Sequence, residues 1–145
     1  MKIMKVETNK KEYLELLLLA DEQEDMIDKY LDYGDIFVLE DDGVKAECVV
    51  TEEEGIYELK NIAVNPNAQL QGYGKTLIEY VFNYYSNCKK MLVGTGDVPS
   101  TLGFYHKCGF SDSHRVKNFF TDNYDHIMIE DGIQLVDMVY LKRER

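Results

Sequence analysis

Gln69-Leu70-Gln71-Gly72-Tyr73-Gly74-Lys75-Thr76 is the stretch on which the reading of this chain turns. It follows Ile56 to Val64, a run that reads as a long strand ending at Asn65-Pro66-Asn67. It opens Gly72 to Asn87, where Leu77, Ile78, Val81, Phe82 and Tyr85 recur at helical spacing. Glycines between a strand and a helix let the backbone come close to a ligand. The first N–H groups of the helix have no partner inside it, and together with the helix dipole they favour a pyrophosphate.

Three phosphate-binding patterns compete for the loop. Gly74-Lys75-Thr76 is the ending of a Walker loop, but that motif needs glycine where Gln69 stands. A dinucleotide fingerprint would need a third glycine at Leu77 and a βαβ setting, whereas this loop follows an antiparallel meander. The pattern (Gln/Arg)-x-x-Gly-x-(Gly/Ala) is met in full by Gln69 to Gly74.

Working outward toward the start, Lys2 to Glu7 alternates as a short strand. Thr8 or Asn9 is placed to cap a helix through Tyr13, Leu14, Leu17 and Leu18, with Glu12 helping. A second helical stretch runs through Met26, Ile27, Tyr30 and Leu31 and stops near Gly34. Ile36 to Glu40 and Val44 to Thr51 read as strands joined by the hairpin signal Asp41-Asp42-Gly43, and Glu52 to Gly55 makes another turn. Downstream, Met91-Leu92-Val93 is a short apolar strand, Ser100 to Lys107 a short helix, and Ile133 to Lys142 a closing strand. Asn118 to Asp131 is acidic and aromatic and takes no assignment. The order predicts a mixed α/β (α+β) sheet protein, and with no linker or repeat the expectation is one domain over 1–145.

With the loop and the order in place, the chain resembles the GNAT acetyltransferase superfamily, and within it the bacterial YvbK-like subgroup. Glu58-Leu59-Lys60-Asn61-Ile62-Ala63-Val64-Asn65-Pro66 is similar to the family strand that leads into its motif A. Gly103-Phe104-Tyr105-His106-Lys107-Cys108-Gly109-Phe110 is similar to its motif B. The likeness is close over Ile56 to Phe110, and Val93-Gly94-Thr95-Gly96 ahead of the motif B helix fits the subgroup. Asp97 departs from it, standing where related chains often have asparagine.

The resemblance implies a mixed, mostly antiparallel central sheet flanked by helices. It implies a splay between the Ile56–Val64 strand and Met91-Leu92-Val93, at a bend after Val64, where acetyl-CoA enters as co-substrate. Gln69, Leu70, Gln71, Gly72, Tyr73, Gly74, Lys75 and Thr76 would hold the pyrophosphate. Backbone groups of Ile62, Ala63 and Val64 would bind the pantetheine arm, and an N–H there would polarise the thioester carbonyl. Tyr105 stands at the position of a general acid for the CoA thiolate. Glu58 is the candidate base, acting through water; strict alternation would put Glu58, Lys60 and Ile62 on one face of their strand. The implied activity is N-acetyl transfer to a primary amine by direct attack in a ternary complex. A non-catalytic acyl-CoA-binding module and a protein lysine or N-terminal acetyltransferase are the alternatives.

Composition narrows the partners. The net charge is −11, and Met1 to Glu58 carries 6 Lys or Arg against 18 Asp or Glu. Such acidity repels phosphate backbones, so neither nucleic acid nor an anionic membrane is expected. It suits a small cationic amine as acceptor. The candidate walls are the acidic run Asp21, Glu22, Glu24, Asp25, Asp28, Asp32 and Asp35, and the segment Phe119 to His126. Cys48, Cys88 and Cys108 are odd in number and lack CxxC spacing, so they read as reduced thiols of a cytoplasmic protein. Cys108 and His106 are two residues apart, a poor spacing for a nucleophile and its base on one helix. No metal-ligand spacing is present, and no metal is expected. The Met1 end lacks a signal-peptide pattern. Dimers are common among similar proteins, so a homodimer through the late strands is a candidate assembly.

Overall fold

The computed structural model describes all of residues 1–145. It divides into two compact units, Met1–Cys88 and Lys89–Arg145. No helix is long and apolar enough to cross a membrane.

The first unit carries four consecutive antiparallel strands, β1 (Lys2–Val6), β2 (Asp35–Glu40), β3 (Val44–Glu53) and β4 (Ile56–Val64). Its helices are α1 (Leu14–Ala20), α2 (Glu24–Leu31) and α3 (Tyr73–Tyr84). In the three-residue link Asp41-Asp42-Gly43, Asp42 and Gly43 take left-handed φ of 59° and 98°, and the Asp41 N–H donates to the Gly43 carbonyl (2.9 Å). The expected helix cap is not made. Asn9 lies in the left-handed region without a side-chain cap bond, and Lys10–Tyr13 forms a 3₁₀ turn before α1. Instead the Lys10 ammonium reaches the end of α2, donating to the carbonyls of Leu31 (3.0 Å), Asp32 (3.2 Å) and Gly34 (2.6 Å). Those carbonyls end a helix and lack intrahelical donors, so a cation there answers both hydrogen bonding and dipole.

The two faces of this sheet follow from register. Phe37 pairs with Cys48, which pairs with Ile62, so these residues share one face. On that face Phe37 meets Tyr80 and Tyr84 of α3 edge-on, at ring separations of 5.9 and 5.1 Å. Ile36, Val49 and Asn61 point the other way. There Ile36 and Val49 pack with Leu17 of α1 and with Ile27, Tyr30 and Leu31 of α2.

The second unit holds β5 (Lys90–Gly96), β6 (Ser111–Val116) and β9 (Met138–Glu144), with β9 antiparallel to both. Its helices are α4 (Pro99–Lys107) and α5 (Phe119–Asn123), and a small hairpin pairs β7 (Ile129–Glu130) with β8 (Ile133–Gln134). The single closing strand expected from Ile133 is therefore two strands. Its core gathers Val98, Phe120, Met128 and Leu135. The segment left unassigned by sequence holds α5 and the first strand of the hairpin, and its aromatic residues are core rather than surface at Phe120. All six residues of β6 are exposed, so no alternation marked it as a strand.

Candidate active site

The glycine loop is built to present donors. Gly72 caps α3 with φ 83° and offers no side chain to its first turn. Leu70 also lies in the left-handed region, with φ 65°, and is fully exposed. A bulky residue held in that strained conformation is characteristic of ligand loops. The first intrahelical bond of α3 runs from the Thr76 N–H to the Gly72 carbonyl (3.0 Å). The amides of Tyr73, Gly74 and Lys75 precede it and are the orphan donors of the helix. Thr76 therefore differs from the sequence expectation: its amide is committed, and its hydroxyl also donates to the Gly72 carbonyl (2.9 Å). Tyr73 turns its hydroxyl to Asp41 Oδ2 (2.7 Å), and Lys75 is exposed. A Cβ added at Gly72 would meet no protein atom within 4 Å, so the space above it is open to a ligand.

β4 supplies the second element. The Asn65 N–H donates to the Lys45 carbonyl (2.8 Å), which fixes the phase of the β3–β4 ladder. Antiparallel bonding alternates, so Ala63 turns its backbone groups toward its partner Glu47 on β3. Ile62 and Val64 turn theirs away from β3. Gln69 Nε2 reaches that outer side, at 3.5 Å from the Val64 carbonyl. Ala63 thus has the opposite backbone direction from its two neighbours.

Glu58 lies where strict alternation does not put it. Val49 pairs with Asn61 and Val50 with Leu59, so Lys60 is an extra residue and the strand changes parity there. Glu58 consequently shares a face with Thr51 and Asn61, not with Ile62. The irregularity in β4 sits at Lys60, before the bend expected after Val64. Glu58 is half-buried, bonded to Lys60 Nζ (3.2 Å). It lines an open cleft of about 580 Å³ with Thr51, Glu52, Glu53, Glu54, Ile56 and Lys60. Four carboxylates against one ammonium make this cleft attractive to cations.

The acidic run of α2 behaves differently. Met26, Ile27, Tyr30 and Leu31 take its buried face, and Asp25, Asp28 and Asp32 are exposed. Its flanking acids are partly occupied. Asp21 Oδ2 accepts from the Tyr30 hydroxyl (3.0 Å), and Asp35 Oδ2 from the Tyr85 hydroxyl (2.5 Å).

In the second unit, Tyr105 sits on α4 and is buried, its ring between Phe104 (5.2 Å) and Phe110 (5.8 Å). Cys108 is buried at the end of that helix, and its carbonyl accepts from Arg143 Nη1 (3.2 Å). His106 is exposed and bonded to Asp112 Oδ1 (2.9 Å), so it serves no thiol as base. Asp97 pairs with Arg115 Nη1 (2.9 Å). Phe120, Tyr124, Asp125, His126, Met128 and Leu135 border a separate shallow cleft of about 320 Å³.

Sequence reasoning missed one feature of the first unit. Glu47, in the apolar run Ala46-Glu47-Cys48-Val49-Val50, is wholly buried, and neither carboxyl oxygen has a hydrogen-bond partner of normal geometry. Burial pushes its carboxyl well above the usual range, opposed by a weaker pull from the Ala63 N–H. Nearby Asn61 is 4% exposed, and its Oδ1 also lacks a partner. A charge-bearing residue inside an otherwise apolar strand was the available signal.

Known proteins are similar to this chain in sequence and in fold. Residues 32–112 match the family described as acetyltransferase (GNAT) domain. The uncharacterised N-acetyltransferase YvbK of Bacillus subtilis is 35% identical over 143 residues, covering 93% of this chain and 90% of that protein. A Bacillus subtilis acetyltransferase solved in complex with CoA superimposes with a TM-score of 0.90 at 32% identity, covering 99% of this chain and 98% of its own. A GNAT family acetyltransferase from Elizabethkingia anophelis, solved with acetyl-CoA bound, gives 0.93 at 34% identity, covering 99% and 97%.

Proposed function

The chain belongs to the GNAT acetyltransferases, and from that premise we propose that it moves the acetyl group of acetyl-CoA to a small cationic primary amine by direct attack in a ternary complex. The observation that carries this reading is the start of α3, where three orphan N–H groups follow a left-handed Gly72 under open space. Likeness over 99% of the chain to enzymes solved with CoA or acetyl-CoA supports it, and supports 1–145 as one acetyltransferase domain.

The amides of Tyr73, Gly74 and Lys75 take the pyrophosphate. The outward backbone groups of Ile62 and Val64 bond the pantetheine as an added strand would, and hold the thioester in place. A neutral amine attacks the carbonyl carbon, and the C–S bond breaks as the new C–N bond forms. Tyr105 donates its phenolic proton to the departing thiolate. The Glu52, Glu53, Glu54 and Glu58 cleft draws a cationic acceptor, and Glu58 takes the proton lost by the amine through water.

The test is thiol release from acetyl-CoA with spermidine, aminoglycosides, amino acids and lysine peptides. Turnover with a small cationic amine is expected. Turnover only with peptides makes this a protein acetyltransferase. No turnover, with acetyl-CoA still raising Tm, makes it a binding module. Tyr105→Phe is expected to lower kcat by about 10- to 10⁴-fold with acetyl-CoA affinity kept. An unchanged kcat removes Tyr105 from the mechanism.

A further inference from the structure

The cleft proposed for the acceptor already holds an ammonium group. Lys60 is the one basic residue on a lining that includes Glu52, Glu53, Glu54 and Glu58, and its Nζ lies 3.2 Å from Glu58 Oε2. The two side chains are only 28% and 19% exposed. Ion pairs in open water are worth little because solvent screens them; a pair this far withdrawn is screened less.

The pairing of β4 delivers the ammonium there. Val49 pairs with Asn61 and Val50 with Leu59, so Lys60 has no residue opposite it on β3. An extra residue in a ladder re-aims its side chain. Here the side chain meets the carboxylate two positions earlier on its own strand. Glu58 is anchored from the other side of the ladder, opposite the buried Thr51. The neighbouring acids are placed differently. Glu53 is hydrogen-bonded to the Tyr33 hydroxyl, and Glu52 and Glu54 are exposed. Glu58 is therefore the half-buried carboxylate of the cleft, and Lys60 is the group that neutralises it.

We propose that Lys60 occupies the binding place of the acceptor's own ammonium group, and that the acceptor binds by displacing it from Glu58. This inference rests on the acetyltransferase reading above. A lysine ammonium is a compact charge on a flexible stem, so it can move toward Glu52 or Glu54 without any shift of β4. The exchange keeps the charge at Glu58 balanced, since one ammonium departs as another arrives. It also sets what can enter. A cationic aliphatic amine replaces Lys60 like for like, and further positive charges on it gain from Glu52, Glu53 and Glu54. An arylamine, uncharged near neutral pH, offers Glu58 a hydrogen bond in place of a charge and leaves the Lys60 pair intact. The cleft thus selects basic aliphatic amines over aromatic ones.

The test compares wild type with Lys60→Met, which keeps an unbranched apolar stem and removes the charge, and with Lys60→Arg, which keeps the charge. CoA release is followed against spermidine and n-butylamine at low and high KCl, and acetyl-CoA binding by its effect on Tm. In Lys60→Met the KM for both amines is expected to fall by about 3- to 10-fold at low salt, with kcat within about twofold of wild type. The gap in KM should narrow at high salt, where charges are screened. Lys60→Arg should keep the wild-type KM, and the acetyl-CoA-induced rise in Tm should be the same in all three proteins. An unchanged or higher KM in Lys60→Met overturns the proposal. So does an equal fall in Lys60→Arg, which would make shape and not charge the cause. A lower kcat at unchanged KM overturns it too, and makes Lys60 a positioning residue for Glu58. A wild type that releases no CoA with either amine, or with the wider panel, removes the parent reading and this one with it. Should Lys60→Met not fold, Lys60→Gln serves in its place with the same outcomes.

Discussion

On the α3 side of the first unit's sheet, Phe37, Leu39, Cys48, Val50 and Leu59 are buried and apolar, and Phe37 is ringed by Tyr80, Tyr84 and Tyr85. On the α1–α2 side the same strands present Ile36, Val38 and Val49, but also Glu47, Asn61 and Glu58. Glu47 and Asn61 lie as deep as the apolar residues of the other face, while Glu58 lines an open cleft. One face is apolar, and the other holds three oxygens without a hydrogen-bond partner of normal geometry. Buried polar groups without partners cost stability, and a buried carboxyl lowers that cost by keeping its proton. The comparison sets a face packed with apolar and aromatic side chains against one whose core also buries polar groups.

The largest expected effect lies on the α3 face. Phe37→Ala removes a fully buried ring and should cost about 3–5 kcal/mol, read as a lower urea midpoint. A cost below about 1 kcal/mol would mean that the aromatic cluster does not anchor α3. Where that helix begins lies the proposed cofactor loop. Gly72→Val puts a β-branched residue at φ 83°, with its side chain in the space above the orphan amides. Acetyl-CoA affinity should drop by about 100-fold or more, measured by calorimetry, with a stability cost of only about 1–2 kcal/mol. Wild-type affinity in the variant would move the cofactor loop elsewhere.

The α1–α2 face makes the opposite prediction. Burial raises the Glu47 carboxyl above its unfolded value, so the native state binds that proton more readily than the unfolded chain does. By linkage, wild-type stability should fall as pH rises above about 4.3, the ordinary glutamate value, until the folded value is passed. Tyr30 and Cys48 lie within electrostatic reach of this carboxyl and the Ala63 N–H bonds it, and only the last favours its charge. Glu47→Gln removes the titration. It should be more stable than wild type near neutral pH by about 1–3 kcal/mol, with the gap closing in acid. Parallel stability curves for the two proteins would show that Glu47 does not titrate differently on folding. The smallest effect is that of Tyr30→Phe, which deletes the bonds to Asn61 and Asp21 and should cost about 1 kcal/mol. An unchanged urea midpoint would mean that the Asn61–Tyr30–Asp21 bonds do not stabilise this face.

Much of the candidate site's local structure was legible because it depends on local chemistry. A glycine that must adopt positive φ, a helix that must start, and a hairpin at Asp42-Gly43 are decided within a few residues, and Gln69 to Gly74 carries such a signature. Glu47 was overlooked because its meaning depends on what is absent around it. Glu58 was placed on the wrong face because one extra residue at Lys60 reverses everything before it, and alternation along a strand cannot register an insertion in pairing. β6 was not seen, since an exposed strand has no hydrophobic period to show.

The sequence by itself determined the mixed α/β order, the donor loop at the head of α3 and the membership of an acetyl-CoA-using family, since each is written in short stretches of fixed spacing. Tertiary structure alone decided which oxygens of the first unit go without donors. The Leu17 carbonyl and the Tyr30 hydroxyl lie 44 and 31 positions away from Asn61, and they turn its amide so that its oxygen is left bare. Satisfaction of a buried polar group is a sum over neighbours, and only folding brings those neighbours together.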